Sequence, residues 1–124
     1  MVLPSKNTWI RIGAACGLLA VALGAFGAHG LKPILLENGN LATFETAARY
    51  HLIHAVAMLL PLAYRDRALC AAHFFLLGLV FFSGSLYVLA ITDTKWLGAV
   101  APIGGLSFIA GWAWIFLKGG VAED

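Results

Sequence analysis

Four apolar stretches divide the chain, each bounded by a short cluster of charged residues, Pro, Gly or Asn. They run from about Ile12 to Ala28, Phe44 to Tyr64, Ala68 to Ile91 and Trp96 to Leu117, with Trp9 and Arg11 at the near edge of the first. A helix needs about 20 predominantly apolar residues to cross the hydrocarbon core of a bilayer, so each stretch predicts a membrane-spanning helix. Residues 30–43 carry Lys32, Pro33, Glu37, Asn38, Gly39 and Asn40 and read as a loop. Arg65-Asp66-Arg67 and Thr92-Asp93-Thr94-Lys95 read as tight charged turns. Lys118, Gly119 and Gly120 close the last run, and Glu123–Asp124 reads as a frayed tail. The expected fold class is therefore all-α: a single integral membrane domain over residues 1–124, built as a four-helix bundle with short loops.

Lipid tails are as apolar as leucine, so membrane helices associate through close approach at small residues. Gly13, Gly17, Ala20, Gly24 and Gly27 recur at spacings of four, three, four and three, which places them on one face of the first helix. Gly104, Ser107 and Gly111 form a similar stripe in the fourth, with Gly98, Ala101 and Gly105 beside it, and Pro102 is expected to kink that helix. Such stripes serve internal packing or a homo-oligomer, and internal packing is the reading preferred for a chain with four helices.

Composition supports the same solvent. Of the 124 residues 61% are hydrophobic and 11% charged, against about 25% charged in a soluble domain. That is too little charge to coat a water-soluble globule, so the lipid bilayer is the expected partner. The net charge of +2 is small and scattered and excludes a nucleic-acid footprint. Lys6, Arg11, Arg65, Arg67 and Lys118 fall on one side of a four-span topology and Lys32 and Lys95 on the other. The positive-inside rule then puts both termini on the cytoplasmic side of a cell inner (plasma) membrane. A cleavable signal is the competitor for the first span, with Ala20-Val21-Ala22 as its cleavage pattern, but the apolar run continues past it to Ala28. Cys16 and Cys70 lie in apolar runs and read as buried free thiols.

The second stretch is the most polar and needs the most explanation. It holds Glu45, Arg49, Tyr50, His51 and His54, and an arginine at the centre of a membrane helix costs about 2.5–3.5 kcal/mol on insertion scales. Glu45 and Arg49 are four apart with the acid first, the favourable order for an ion pair. His29, Ser83, Ser85 and Tyr87 reach similar depths in a bundle, so these nine residues are expected to converge on one polar interhelical site in its outer half. The bland version of that site is a hydrogen-bond network acting as helix glue. Haem held by two histidines is open chemistry, although no pair shares a clear depth, and no acid–thiol–histidine cluster suggests zinc. Ser83 and Ser85 lack a nucleophile elbow, and Gly104-Gly105 lies inside a span rather than in a phosphate loop.

The chain also carries Gly24-Ala25-Phe26-Gly27-Ala28-His29-Gly30, Glu45-Thr46-Ala47, Tyr50-His51-Leu52-Ile53-His54-Ala55, Phe81-Phe82-Ser83-Gly84-Ser85-Leu86-Tyr87 and Trp96-Leu97-Gly98-Ala99 with Pro102-Ile103-Gly104-Gly105. In these it resembles the YgdD/YwdK-like family of small four-span inner-membrane proteins, which has animal mitochondrial relatives, from about Ile12 to Trp114. The resemblance implies the four-span fold and points to the same polar positions, but implies no reaction. The functional expectations are a non-enzymatic accessory or assembly subunit of a membrane complex, a redox- or quinone-linked protein using the histidines, or small-solute or proton transport by an oligomer.

Overall fold

The computed structural model describes residues 4–63 and 66–120. Of the described residues 87% are helical. Helix α1 spans Lys6–Ala28 and starts six residues before the apolar run, because Ser5 caps it: its Oγ accepts the Thr8 N–H at 3.2 Å. The stretch expected to be a loop contains a short helix, α2, Lys32–Glu37, with Pro33 in its first turn. Proline there loses no hydrogen bond, since first-turn N–H groups have no intrahelical acceptor. Leu35 points inward from α2 and is completely buried.

Helix α3 runs Leu41–Ala57, and a 3-10 turn, Leu60–Ala63, follows it. The second stretch is thus not one helix to Tyr64. Pro61 explains the end: it has no N–H to donate to the Ala57 carbonyl four residues back, and its ring clashes there. Arg65 and Glu123–Asp124, expected in a turn and a tail, lie outside the described residues. A second 3-10 turn, Asp66–Leu69, leads into α4, Cys70–Thr92. The middle of α4, Leu79–Gly84, is a π-helical segment. The final helix, α5, spans Ala101–Lys118 after a 3-10 turn at Lys95–Ala99. Pro102 sits in the first turn of α5, where the 3-10 turn passes into the α-helix, so it starts that helix rather than interrupting its interior. By length and composition α1, α4 and the Lys95–Lys118 segment are each able to cross a membrane.

The helices pack in chain order, α1 against α3, α3 against α4 and α4 against α5. Small residues set the spacing. Gly13, Ala20 and Gly27 of α1 are buried, and a methyl on Gly27 would overlap the Phe44 ring. Gly17 and Gly24 face open space instead, so the expected five-residue stripe splits: every seventh residue packs and the others do not. On the other side of the molecule, Gly78 of α4 receives the Phe108 ring and Gly111 of α5 receives Phe75. Gly104 lies directly on the backbone of the π segment at Phe81 and Phe82. The Ser107 hydroxyl crosses the same interface and donates to the Phe74 carbonyl at 2.7 Å.

The end where α2 lies is fastened by two asparagines. The last carbonyls of α4 have no helical donors. Asn38 Nδ2 donates to the Ile91 carbonyl at 3.2 Å, and Asn40 Nδ2 to the Ala90 carbonyl at 3.4 Å and to Asp93 Oδ1 at 3.0 Å. At the opposite end Trp9 is buried and packs edge-on to His73, with ring centroids 4.6 Å apart.

Candidate functional site

Helix α3 positions the two central histidines. They are three residues apart, about 60° round the helix axis, and that rotation sends them to different neighbours. His51 turns toward α1 and the second half of α4. Its Nδ1 lies 2.8 Å from the Tyr87 hydroxyl, and its ring also contacts the Cys16 backbone. Beside it Ser83 Oγ donates to the Ala47 carbonyl at 3.0 Å, tying the π segment to α3. A groove of about 320 Å³ opens here between α1 and α4, lined by Cys16, Leu19, His51, Val80, Ser83 and Tyr87.

His54 turns toward α5. The Trp112 indole donates to its Nε2 at 3.0 Å. An indole nitrogen can only donate, so Nε2 carries the lone pair and Nδ1 the proton, which goes to the Tyr50 carbonyl at 2.8 Å. The imidazole is therefore neutral and both its nitrogens are occupied. Its faces are packed as well: the Phe108 ring stacks on it at 3.7 Å between centroids and 14° between planes, and Phe75 lies at 5.5 Å. A groove of about 550 Å³ lies over this cluster, lined by Tyr50, His54, Phe82, Leu106, Phe108 and Trp112 among others. Tyr50 stacks parallel to His54, and its hydroxyl has no partner among the described residues.

The residues expected to share one polar site are thus divided. His51, Ser83 and Tyr87 form one cluster, and His54 and Tyr50 another. Ser85 joins neither, since its hydroxyl returns to its own helix at the Phe81 carbonyl, 2.6 Å away. His29, Glu45 and Arg49 are exposed. No ion pair joins Glu45 to Arg49 among the described residues, contrary to the spacing argument. Glu45 instead lines a small cleft with Lys32 between α1 and α3. Sequence reasoning missed Trp112, Asn38 and Asn40; the only available signal was a polar or amphipathic side chain in or next to an apolar run.

The donor set does not suit haem. Axial ligation needs an imidazole with a free lone pair facing the iron. His54 Nε2 is taken by Trp112, His51 opens on a different groove, and His29 is at the surface. No group of three or more His, Cys, Asp or Glu among the described residues has metal-binding geometry.

Residues 23–105 match a family model described as a protein of unknown function, DUF423. The chain is similar to the UPF0382 membrane protein SH2409 of Staphylococcus haemolyticus, 40% identical over 114 residues, covering 89% of this chain and 93% of the relative. It is similar to the UPF0382 membrane protein YwdK of Bacillus subtilis, 39% identical over 115 residues, 88% of this chain and 93% of the relative. The UPF0382 inner membrane protein YgdD of Escherichia coli is 41% identical over 107 residues, 81% of this chain and 79% of the relative. No solved structure matches.

Proposed function

This chain belongs to the DUF423 family of membrane proteins, and from that premise we propose that it acts without chemistry of its own, as an accessory or assembly subunit of a larger membrane complex. One observation carries this reading. His54, the ionisable residue most deeply enclosed by aromatic rings, has both ring nitrogens bonded within the chain. A general base or proton carrier needs a free lone pair or an exchangeable proton at the site of reaction. Here Nε2 joins α3 to α5 through Trp112, and Nδ1 bonds back to the Tyr50 carbonyl of α3 itself. In this reading α3 is a fourth span: its 17 residues rise about 25 Å and the 3-10 turn at Leu60–Ala63 extends it toward the roughly 30 Å of the hydrocarbon core. The Lys and Arg distribution favours both termini on the cytoplasmic side, and the name of the Escherichia coli relative supports an inner membrane as the location. The test is extraction of the full chain from native membranes in mild detergent or polymer discs. A stoichiometric membrane partner is the expected result; a particle holding this chain alone would sink the proposal.

A second reading is favoured by the α3–α5 groove. Its aromatic walls and the unpartnered Tyr50 hydroxyl suit a quinone ring entering sideways from the bilayer. Solvent extraction of the purified protein, followed by chromatography, checks this. Quinone should be retained and should fall in the Tyr50→Phe variant; equal amounts in the two samples would count against the site.

A further inference from the structure

At the α2 end of the molecule a cleft of about 180 Å³ lies between α1 and α3, lined by Gly24, Gly27, Phe44 and Ala48, with Lys32 and Glu45 as its charged members. The volume is several times the roughly 30 Å³ that one water molecule takes up in the liquid. Lys32 lies four residues beyond the end of α1, and Glu45 lies on the second turn of α3; on the reading of α3 as a fourth span, the cleft sits at headgroup level. Arg49 is one turn deeper on the Glu45 side of α3 and is exposed. Side chains on a helix lean toward its N-terminus. For α3 that direction is outward, toward the level of the cleft; Arg49 does not itself line the cleft but follows Ala48, which does. Among the described residues Lys32, Glu45 and Arg49 make no ion pair or hydrogen bond through their side chains. An arginine on a lipid-facing helix is costly without a counter-charge, and Glu45, four residues away, does not supply one.

We propose that Lys32, Glu45 and Arg49 form a binding site for a phospholipid whose headgroup carries both a phosphate and a primary ammonium, that is, an ethanolamine phospholipid. The two cations take the phosphate, Arg49 from below and Lys32 from the rim. The Glu45 carboxylate takes the ammonium, whose N–H groups make charge-assisted hydrogen bonds. Gly17 and Gly24, which face open space on α1, leave room beside the helix for an acyl chain. A choline headgroup has no N–H to donate to Glu45. A glycerol headgroup leaves a net negative charge beside it.

The experiment is native mass spectrometry of the full chain with ethanolamine, choline and glycerol phospholipids of identical acyl chains at equal concentration. The ethanolamine lipid should be retained about tenfold over the choline lipid, the size of one charge-assisted contact. Glu45→Gln should abolish that discrimination and raise retention of the glycerol lipid. Arg49→Gln should weaken all three. These positions are exposed, and an unchanged circular dichroism spectrum checks that the variants fold. Equal retention of the three lipids by the unmodified protein, or a preference untouched by Glu45→Gln, would overturn the proposal. So would displacement of the lipid by an equal concentration of soluble phosphoethanolamine, which would assign the cleft to a free phosphate compound.

Discussion

Gly104 and Gly105 are adjacent on α5, and a methyl group added to each meets different surroundings. On Gly104 it runs into the Phe82 backbone nitrogen, with the Phe81 carbonyl carbon and Phe82 Cβ both at 2.7 Å. On Gly105 the nearest atom is Phe82 Cδ2 at 3.9 Å, an ordinary contact. A side chain can rotate away from an intruding methyl, but the backbone of α4 cannot, so α5 must withdraw. That withdrawal loosens the Phe75 ring from Gly111 and the Phe108 ring from Gly78, contacts on the same interface. Overpacking of this kind costs about 1–3 kcal/mol, occasionally more. Each Gly→Ala change also gains about 1 kcal/mol in helix propensity, and this gain cancels when the two variants are compared. Gly104→Ala should therefore be less stable than Gly105→Ala by about 1–3 kcal/mol. The assay is unfolding in mixed micelles with a rising fraction of denaturing detergent, followed by far-ultraviolet circular dichroism. Equal stabilities, or a lower stability for Gly105→Ala, would refute the claim that the π segment and α5 touch backbone to backbone.

Three further outcomes follow from the hydrogen bonds. Asn40→Ala removes the donor to the Ala90 carbonyl and to Asp93; the expected loss is about 0.5–1.5 kcal/mol, and hydrogen exchange over residues 88–93 should quicken relative to the start of α4. Tyr87→Phe keeps the ring against Phe44 but removes the hydroxyl from His51; a loss of about 0.5–1.5 kcal/mol is expected in the same micelle assay, and unchanged stability would mean that water or lipid replaces that hydroxyl. A double-mutant cycle of His54→Ala and Trp112→Phe should give a coupling near 0.6 kcal/mol and no more than about 1.7 kcal/mol; zero coupling would argue that the indole does not bond His54 in the membrane.

Particular residues show how far the sequence could be read. The apolar runs locate the principal helices, but the second run continues to Tyr64 because hydropathy runs smoothly from Met58 to Tyr64, whereas α3 ends at Ala57 ahead of Pro61. Residues 30–43 looked like loop because their polar residues are dense, yet Leu31 and Leu35 carry enough apolar surface to dock α2. Glu45 and Arg49 have the spacing of an ion pair and do not form one, since spacing brings two side chains within reach without choosing their rotamers.

The helical architecture and its lipid solvent were legible because hydropathy is local and nearly additive: each residue votes on its solvent whatever its neighbours are. The polar network was not. His51 and His54 differ by about 60° of rotation on one helix, and only the packing of α1, α4 and α5 around α3 decides that one meets Tyr87 and the other Trp112. Those partners lie 36 and 58 residues away in the chain, and the asparagine caps of α4 reach across 49–53 residues. A hydrogen bond forms only when two such atoms come within about 3 Å. That depends on the rotation and separation of whole helices, which the small residues at their contacts set and a reading along one chain does not contain.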